Sequence, residues 1–204
     1  MEKKIIIFDV CNTLYDSNTT FEFIAFVLAK RSGSQQFFFR LMTSRLSPLF
    51  YYYLLLGKFK RKDIIRDKAV HLLRGLSKGE LDHLAEEFYH TYLSNKSIDK
   101  VMKLFYKAKE NSNVWLFSNS IEPVIRVIAD HLQVNYEASS LAYEGQPELF
   151  SGRILKDLKG IKQIVFKQNF GEAPLKMMCS DNKSDYPILK MAQHPYVVIN
   201  KVSD

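Results

Sequence analysis

The sequence predicts an α/β protein: a doubly wound, parallel, Rossmann-like sheet with an inserted all-helical cap. Three observations predict it. Short, continuously apolar runs end in polar turn residues at four places, residues 5–8, 113–120, 175–182 and 195–200. Segments of helical periodicity separate the later runs, and strands alternating with helices argue a parallel sheet. The stretch from 19 to 95 has helical periodicity and no strand pattern, so it interrupts the sheet after its first strand. The expected division is a core of 1–18 and 96–204 and a helical cap of 19–95.

Each element has its own local reason. Ile5, Ile6, Ile7 and Phe8 form an uninterrupted apolar run, which suits a strand buried on both faces rather than an alternating, half-exposed one. Thr19-x-x-Glu22 and Ser77-x-x-Glu80 read as capping boxes, the second flanked by a Leu76/Leu81 staple. Val124, Ile125, Ile128, Ala129 and Leu132 make one helical stripe, opened by Pro123. Ile161, Ile164 and Val165 make another, closed by Gly171.

The composition is that of a globular chain: 204 residues, 47% hydrophobic and 25% charged. A formal net charge of +7 favours anionic partners, whether phosphorylated metabolites, nucleic acid or an anionic membrane face. Nucleic acid is the least favoured, because the basic cluster is short and no groove-reading motif is present. Two cysteines, Cys11 and Cys179, make no disulfide framework and suit a reducing compartment. Asp9 cuts the first apolar run well below signal-peptide length, and residues 48–57 are about half of the roughly 20 residues a spanning helix needs. The expected location is the cytoplasm, with peripheral contact at the inner membrane face as an option. The five histidines are scattered and show no metal-ligand spacing.

Ligands of open α/β sheets bind beyond the carboxyl ends of the strands, so the residues after each run form one candidate set. They are Asp9 and Thr13, then Ser118 and Asn119, then Asp181 and Asp185, with Lys159 ahead of the third strand. A carboxylate such as Asp9 can attack phosphorus. Asp9 with Asp181 could hold Mg2+, which takes hard oxygen ligands. Ser118 and the amides of a helix starting at Ser120 would form an anion site. Lys159 would supply a point charge for phosphate oxygens. Singly, each has an ordinary structural reading as a turn, cap or surface residue.

The motifs "FDVCNTL" (8–14), "VWLFSNS" (114–120), "LKGIKQIV" (158–165) and "CSDNKSDYPIL" (179–189), with "ASSLAYEGQPELFSGR" (138–153), resemble those of the haloacid dehalogenase-like phosphohydrolases. The resemblance is to the phosphoserine phosphatase-like branch and covers roughly residues 1–20 and 97–200. Within it, an SD-x-K-x-D-x-P region and an apolar cap resemble bacterial phosphatidylglycerophosphate phosphatases. It implies a Mg2+-dependent phosphomonoesterase with Asp9 as nucleophile and metal ligand, and Thr13 orienting the loop and lying near substrate with Asn119. Ser118 and Lys159 would hold the transferring phosphate, with Lys162 as the rival lysine. Asp181 and Asp185 would serve the metal.

Cys11 departs from the pattern, because this family carries an acid/base aspartate there. A cysteine keeps the main-chain carbonyl that would bind the metal. Sulfur is a weak hydrogen-bonding partner, and general acid–base catalysis typically contributes ~10²–10⁴-fold. Three outcomes follow: a phosphatase with an easy leaving group or another proton donor, a phosphotransferase, or a phosphate-binding, membrane-associated protein that hydrolyses poorly. The stretch 36–63, aromatic and apolar up to a basic end of Lys58, Lys60, Arg61 and Lys62, reads as cap core, as an interfacial surface for an anionic bilayer, or as a dimer face. The substrate class is a phosphorylated small molecule or a lipid phosphate.

Overall fold

A computed structural model describes residues 4–31 and 33–199. Strand β1 (Lys4–Phe8) leads into helices α1 (Thr19–Ala29), α2 (Gly33–Thr43), α3 (Pro48–Lys60), α4 (Ile64–His71) and α5 (Lys78–Thr91). Then follow α6 (Asp99–Asn111), β2 (Ser112–Ile121), α7 (Glu122–Leu132), β3 (Asn135–Glu144) and β4 (Leu149–Lys156). The chain continues through α8 (Lys162–Phe170), β5 (Leu175–Ser180), α9 (Tyr186–Leu189) and β6 (His194–Val197). The sheet order is β4-β3-β2-β1-β5-β6, parallel except where β4 pairs with β3.

The apolar run of β1 is divided by strand alternation. Ile5 and Ile7 enter one buried cluster with Val165, Phe166 and Leu175, while Ile6 and Phe8 enter another on the opposite face. The second cluster continues without a break into Phe23, Ile24, Val27, Val70, Leu81 and Phe88 of the inserted helices. The insertion therefore shares its core with one sheet face.

Four differences from the sequence expectations have local causes. The antiparallel hairpin β3–β4 is not among the expected strands, because its residues mix polar and apolar types without a clean run. Residues 195–200 form β6 one residue earlier, at His194–Val197, and Asn200 lies outside the described residues. Helix α1 is capped by Asn18, whose side chain accepts from Phe21 N, so Thr19 is inside the helix and Glu22 instead bonds Ser17. In α8 the buried residues are Lys162, Val165 and Phe166, and Ile164 is exposed. The Ser77/Glu80 capping box forms with both reciprocal bonds.

The aromatic stretch splits. Phe39 and Met42 are buried under the cap. Phe37 is 65% exposed, Leu46 95%, Leu55 65% and Phe59 87%, and Gly57 alone is buried on α3. The core reading fails for those side chains, which nothing apolar covers among the described residues. No helix among the described residues is long and apolar enough to cross a membrane.

Candidate active site

The site lies where β1, β2 and β5 end. Asp9 continues β1, its N–H donating to Cys179 O at 2.8 Å, which aims its side chain past the sheet edge. The chain then turns on Val10, whose carbonyl accepts from Leu14 N at 3.0 Å and Tyr15 N at 3.1 Å. Asn12 takes the left-handed conformation (φ 49°) that the turn needs and that asparagine tolerates. A cavity of about 170 Å³ opens there, walled by Asp9, Cys11, Ser118, Asn119, Lys159 and Asp181, with Arg66 from the cap.

The lysine that reaches Asp9 is Lys162. Its ammonium donates to Asp9 Oδ1 at 2.8 Å and to Asp185 Oδ2 at 2.6 Å, with all three side chains buried. Lys159, preferred on the sequence pattern, lies in the turn ahead of α8. It pairs with Asp63 of the cap at 2.6 Å, half-exposed at the cavity wall. The two lysines differ for a simple reason: α8 begins at Lys162, so only that lysine is carried inward under the strand ends. Burial would lower the Lys162 ammonium, but the charges of Asp9 and Asp185 outweigh it and push it up. Burial lifts the Asp9 carboxyl to about 6, opposed by Lys162 and aided by Asp185 and Asp181.

Thr13 and Asp185 sit behind the cavity and do not line it. Thr13 is fully buried and fastens two loops together, its hydroxyl donating to Asp181 Oδ1 at 3.2 Å and accepting from Asp181 N at 3.1 Å. It positions Asp181. Asp185 is buried, its Oδ2 accepting from Lys162 and from Ser180 Oγ at 2.7 Å, so it steadies the lysine behind the cavity wall. Ser118 and Asn119 stay within β2, which runs on to Ile121. Ser118 Oγ accepts from Ser120 N at 3.2 Å, so that amide is already engaged and the expected helix-start anion site does not exist at Ser120.

Cys11 is enclosed by hydroxyls. Its Sγ is 3.0 Å from Thr19 Oγ1 and 2.9 Å from Ser120 Oγ, which are 2.6 Å from each other. Burial pushes the thiol up, and Asp9 adds to it, so the thiol is held protonated. Cys179 is a separate free thiol. The carboxylates of the cavity, Asp9 and Asp181, are hard oxygen donors of the kind a small divalent cation takes. Burial raises Asp181 as well, so two carboxylates share one poorly solvated space.

Arg66 is the residue that sequence reasoning missed. It is buried on α4, donating to Asp157 Oδ2 at 2.7 Å, Ser139 Oγ at 3.1 Å and the Asn119 carbonyl. Its signal was the spacing Arg66, Ala69, Val70, which puts the guanidinium on the inward stripe of a helix capped by Asp63. Against the upward effect of burial, Arg66 holds the Asp157 carboxyl below its usual range.

The family model for haloacid dehalogenase-like hydrolases matches residues 6–190. The chain belongs to this family. Its fold is similar to that of a protein of unknown function from Bordetella pertussis Tohama I (TM-score 0.69, 18% identity, covering 97% of this chain and 90% of that one). It is also similar to a phosphoserine phosphatase from T. onnurineus (TM-score 0.56, 21% identity, 95% and 82%). A phospho-aspartyl intermediate analogue of phosphoserine phosphatase aligns at TM-score 0.55 and 16% identity, covering 97% and 87%. No curated protein matches. Asp9, Ser118 and Asp181 come together at the cavity, with Cys11 beside them and Lys162 behind Asp9.

Proposed function

We propose that this hydrolase is a Mg2+-dependent phosphomonoesterase that works through Asp9 on the phosphate of a lipid head group or similar amphiphile at an anionic membrane face. One observation supports the reading most. The cavity of Asp9 is smaller than the ~300–1,000 Å³ of ordinary ligand pockets. It shares Asn18, Phe21 and Asp63 with a neighbouring cavity of about 470 Å³ walled by Phe39, Arg45, Phe50 and Ile65. A phosphate fits the first, and an apolar remainder has a path through the second towards α2 and α3. There Phe37, Leu46, Leu55 and Phe59 stand exposed beside Lys58, Lys60, Arg61 and Lys62, the pairing of apolar bulk and positive charge that anionic interfaces bind.

The chain's own residues would divide the work as follows. An Asp9 oxygen attacks phosphorus, and the bond from phosphorus to the alcohol oxygen breaks. Lys162 holds Asp9 in place and balances its charge. Ser118 and Lys159 face the transferring phosphate from the wall. The protonated Cys11 thiol stands where the leaving oxygen needs a proton and is a weak donor. Water then displaces the Asp9 carboxylate from phosphorus, with no carboxylate at position 11 to take its proton, so this second step is slow. A Mg2+ ion on Asp9, Asp181 and the Cys11 carbonyl would neutralise phosphate charge.

The test compares a long-chain lipid phosphate in anionic vesicles with a soluble phosphomonoester, with and without Mg2+. Mg2+-dependent phosphate release that is faster from vesicles is expected. Burying Leu55 and Phe59 is worth about 1.5–3 kcal/mol each, so the double variant Leu55→Ser/Phe59→Ser should bind vesicles at least about 100-fold more weakly while keeping its soluble rate. No phosphate release from either substrate would overturn the activity. Unchanged vesicle binding, or a dimer that the same variant dissociates, would overturn the membrane assignment.

A further inference from the structure

Glu86 and His90 lie one turn apart on α5, and His131 lies in the last turn of α7. Their side chains meet on the surface, away from the Asp9 cavity. Glu86 Oε1 is 3.0 Å from His90 Nε2 and 2.7 Å from His131 Nε2, and ligand atoms of all three lie within 4.8 Å of one another. A single carboxylate–imidazole pair is ordinary surface chemistry. Two imidazoles turning the same nitrogen onto one carboxylate oxygen, from two helices that pack on each other, is a converged donor set.

The spacing suits an ion. A tetrahedral centre with nitrogen and oxygen ligands at ~2.0–2.2 Å needs donor-to-donor edges of about 3.3–3.5 Å, and the two edges at Glu86, 3.0 and 2.7 Å, open slightly to meet that. Part of the set is already held. The His131 ring stacks on Tyr89 with centroids 4.2 Å apart and planes 10° from parallel. Tyr89 in turn packs edge-on against the buried Tyr15 at 6.4 Å. Arg126 of α7 pairs with Asp82 of α5, fixing the two helices to each other. His90 is 60% exposed and Glu86 47%, which leaves room for an ion and its waters to enter.

We propose that Glu86, His90 and His131 form a binding site for a divalent transition cation of the Zn2+ class, which ties α5 of the inserted helices to α7 of the sheet layer. The donor set makes the choice. Two imidazoles and one carboxylate suit Zn2+, Ni2+ or Cu2+, whereas Mg2+ prefers an all-oxygen shell such as that of Asp9 and Asp181. Water completes the coordination. An ion that binds only the folded arrangement stabilises it by mass action, so the α5–α7 contact becomes harder to open when the ion is present.

The experiment titrates tag-free, chelator-stripped full-length protein with Zn2+ by calorimetry in excess Mg2+, and with Co2+ by visible absorption. One Zn2+ per chain, tetrahedral Co2+ bands and a raised Tm are expected. His90→Gln and His131→Gln should each weaken binding by more than the roughly 10–100-fold that a change outside the ligand shell costs, and Asp181→Asn should leave it unchanged. Three results would overturn the proposal: no uptake, uptake indifferent to both histidine variants, or uptake lost in Asp181→Asn.

Discussion

Lys162 is 1% exposed, with its ammonium shared between two buried carboxylates, whereas the Lys159 side chain is 46% exposed and meets one carboxylate at the rim. The two lysines should therefore differ sharply in what they hold up. Removing Lys162 leaves Asp9 and Asp185 buried without their counter-charge, and breaking a buried pair this way costs about 3–5 kcal/mol. Lys159→Met loses an exposed pair worth ~1 kcal/mol or less. Urea unfolding of Lys162→Met and Lys159→Met checks this, and equal losses would contradict the placement. The sequence showed that a lysine belonged near the third motif. It could not show which one, because the direction of a side chain depends on the residue at which the helix begins, and a Lys-Gly pair ahead of the helix looks as plausible as a lysine in its first position. The thiol at position 11 was legible as a missing acid. Its hydroxyl neighbours were not, since Thr19 looked like a helix cap and Ser120 like a helix start.

Helix α5 illustrates a local pattern that folds as written. Ser77 Oγ accepts from Glu80 N at 3.2 Å, and Glu80 Oε2 accepts from Ser77 N at 2.7 Å, satisfying two helix-end donors. Ser77→Ala should cost about 1 kcal/mol, within the 0.5–2 kcal/mol usual for a lost cap. Hydrogen bonds from the Ser77 side chain and then its main chain hold the Glu80 carboxyl below its ordinary range. A group lowered in the folded state stabilises fully above its unfolded pKa, and that contribution fades as pH falls through the folded value. The wild type should therefore lose more stability than Ser77→Ala across that acidic window, as thermal unfolding at stepped pH would show. An equal loss would contradict the cap. The same pattern at Thr19 misleads because Asn18, one residue earlier, is a better cap and Glu22 has a closer partner in Ser17. The run of β1 was legible because burial on both faces leaves it unbroken, Ile5 and Ile7 on one side and Ile6 and Phe8 on the other. The hairpin β3–β4 sits at the sheet edge, where one face stays half-exposed and the run dissolves.

Across the molecule, the inserted helices and the sheet share one apolar cluster, and Arg66 carries the polar part of the same junction to Asp157 and β2. Contacts of this kind are invisible to a reading of short motifs, since Arg66, Ser139 and Asp157 lie far apart along the chain. The same holds for His90 and His131, which looked scattered and meet only because α5 packs on α7. The order of the strand-end carboxylates, by contrast, was legible because a parallel sheet returns every strand end to one edge. That edge places Asp9 at the base of the cavity, with Lys162 behind it and a thiol where an acid is usual. The most direct test is a rapid acid quench of the protein with a 32P-labelled phosphomonoester. The account predicts an acid-stable, hydroxylamine-labile label on the wild type, no label on Asp9→Asn, and a label on Cys11→Asp that decays faster than in the wild type. A label that persists in Asp9→Asn, or turnover unchanged in that variant, would contradict it.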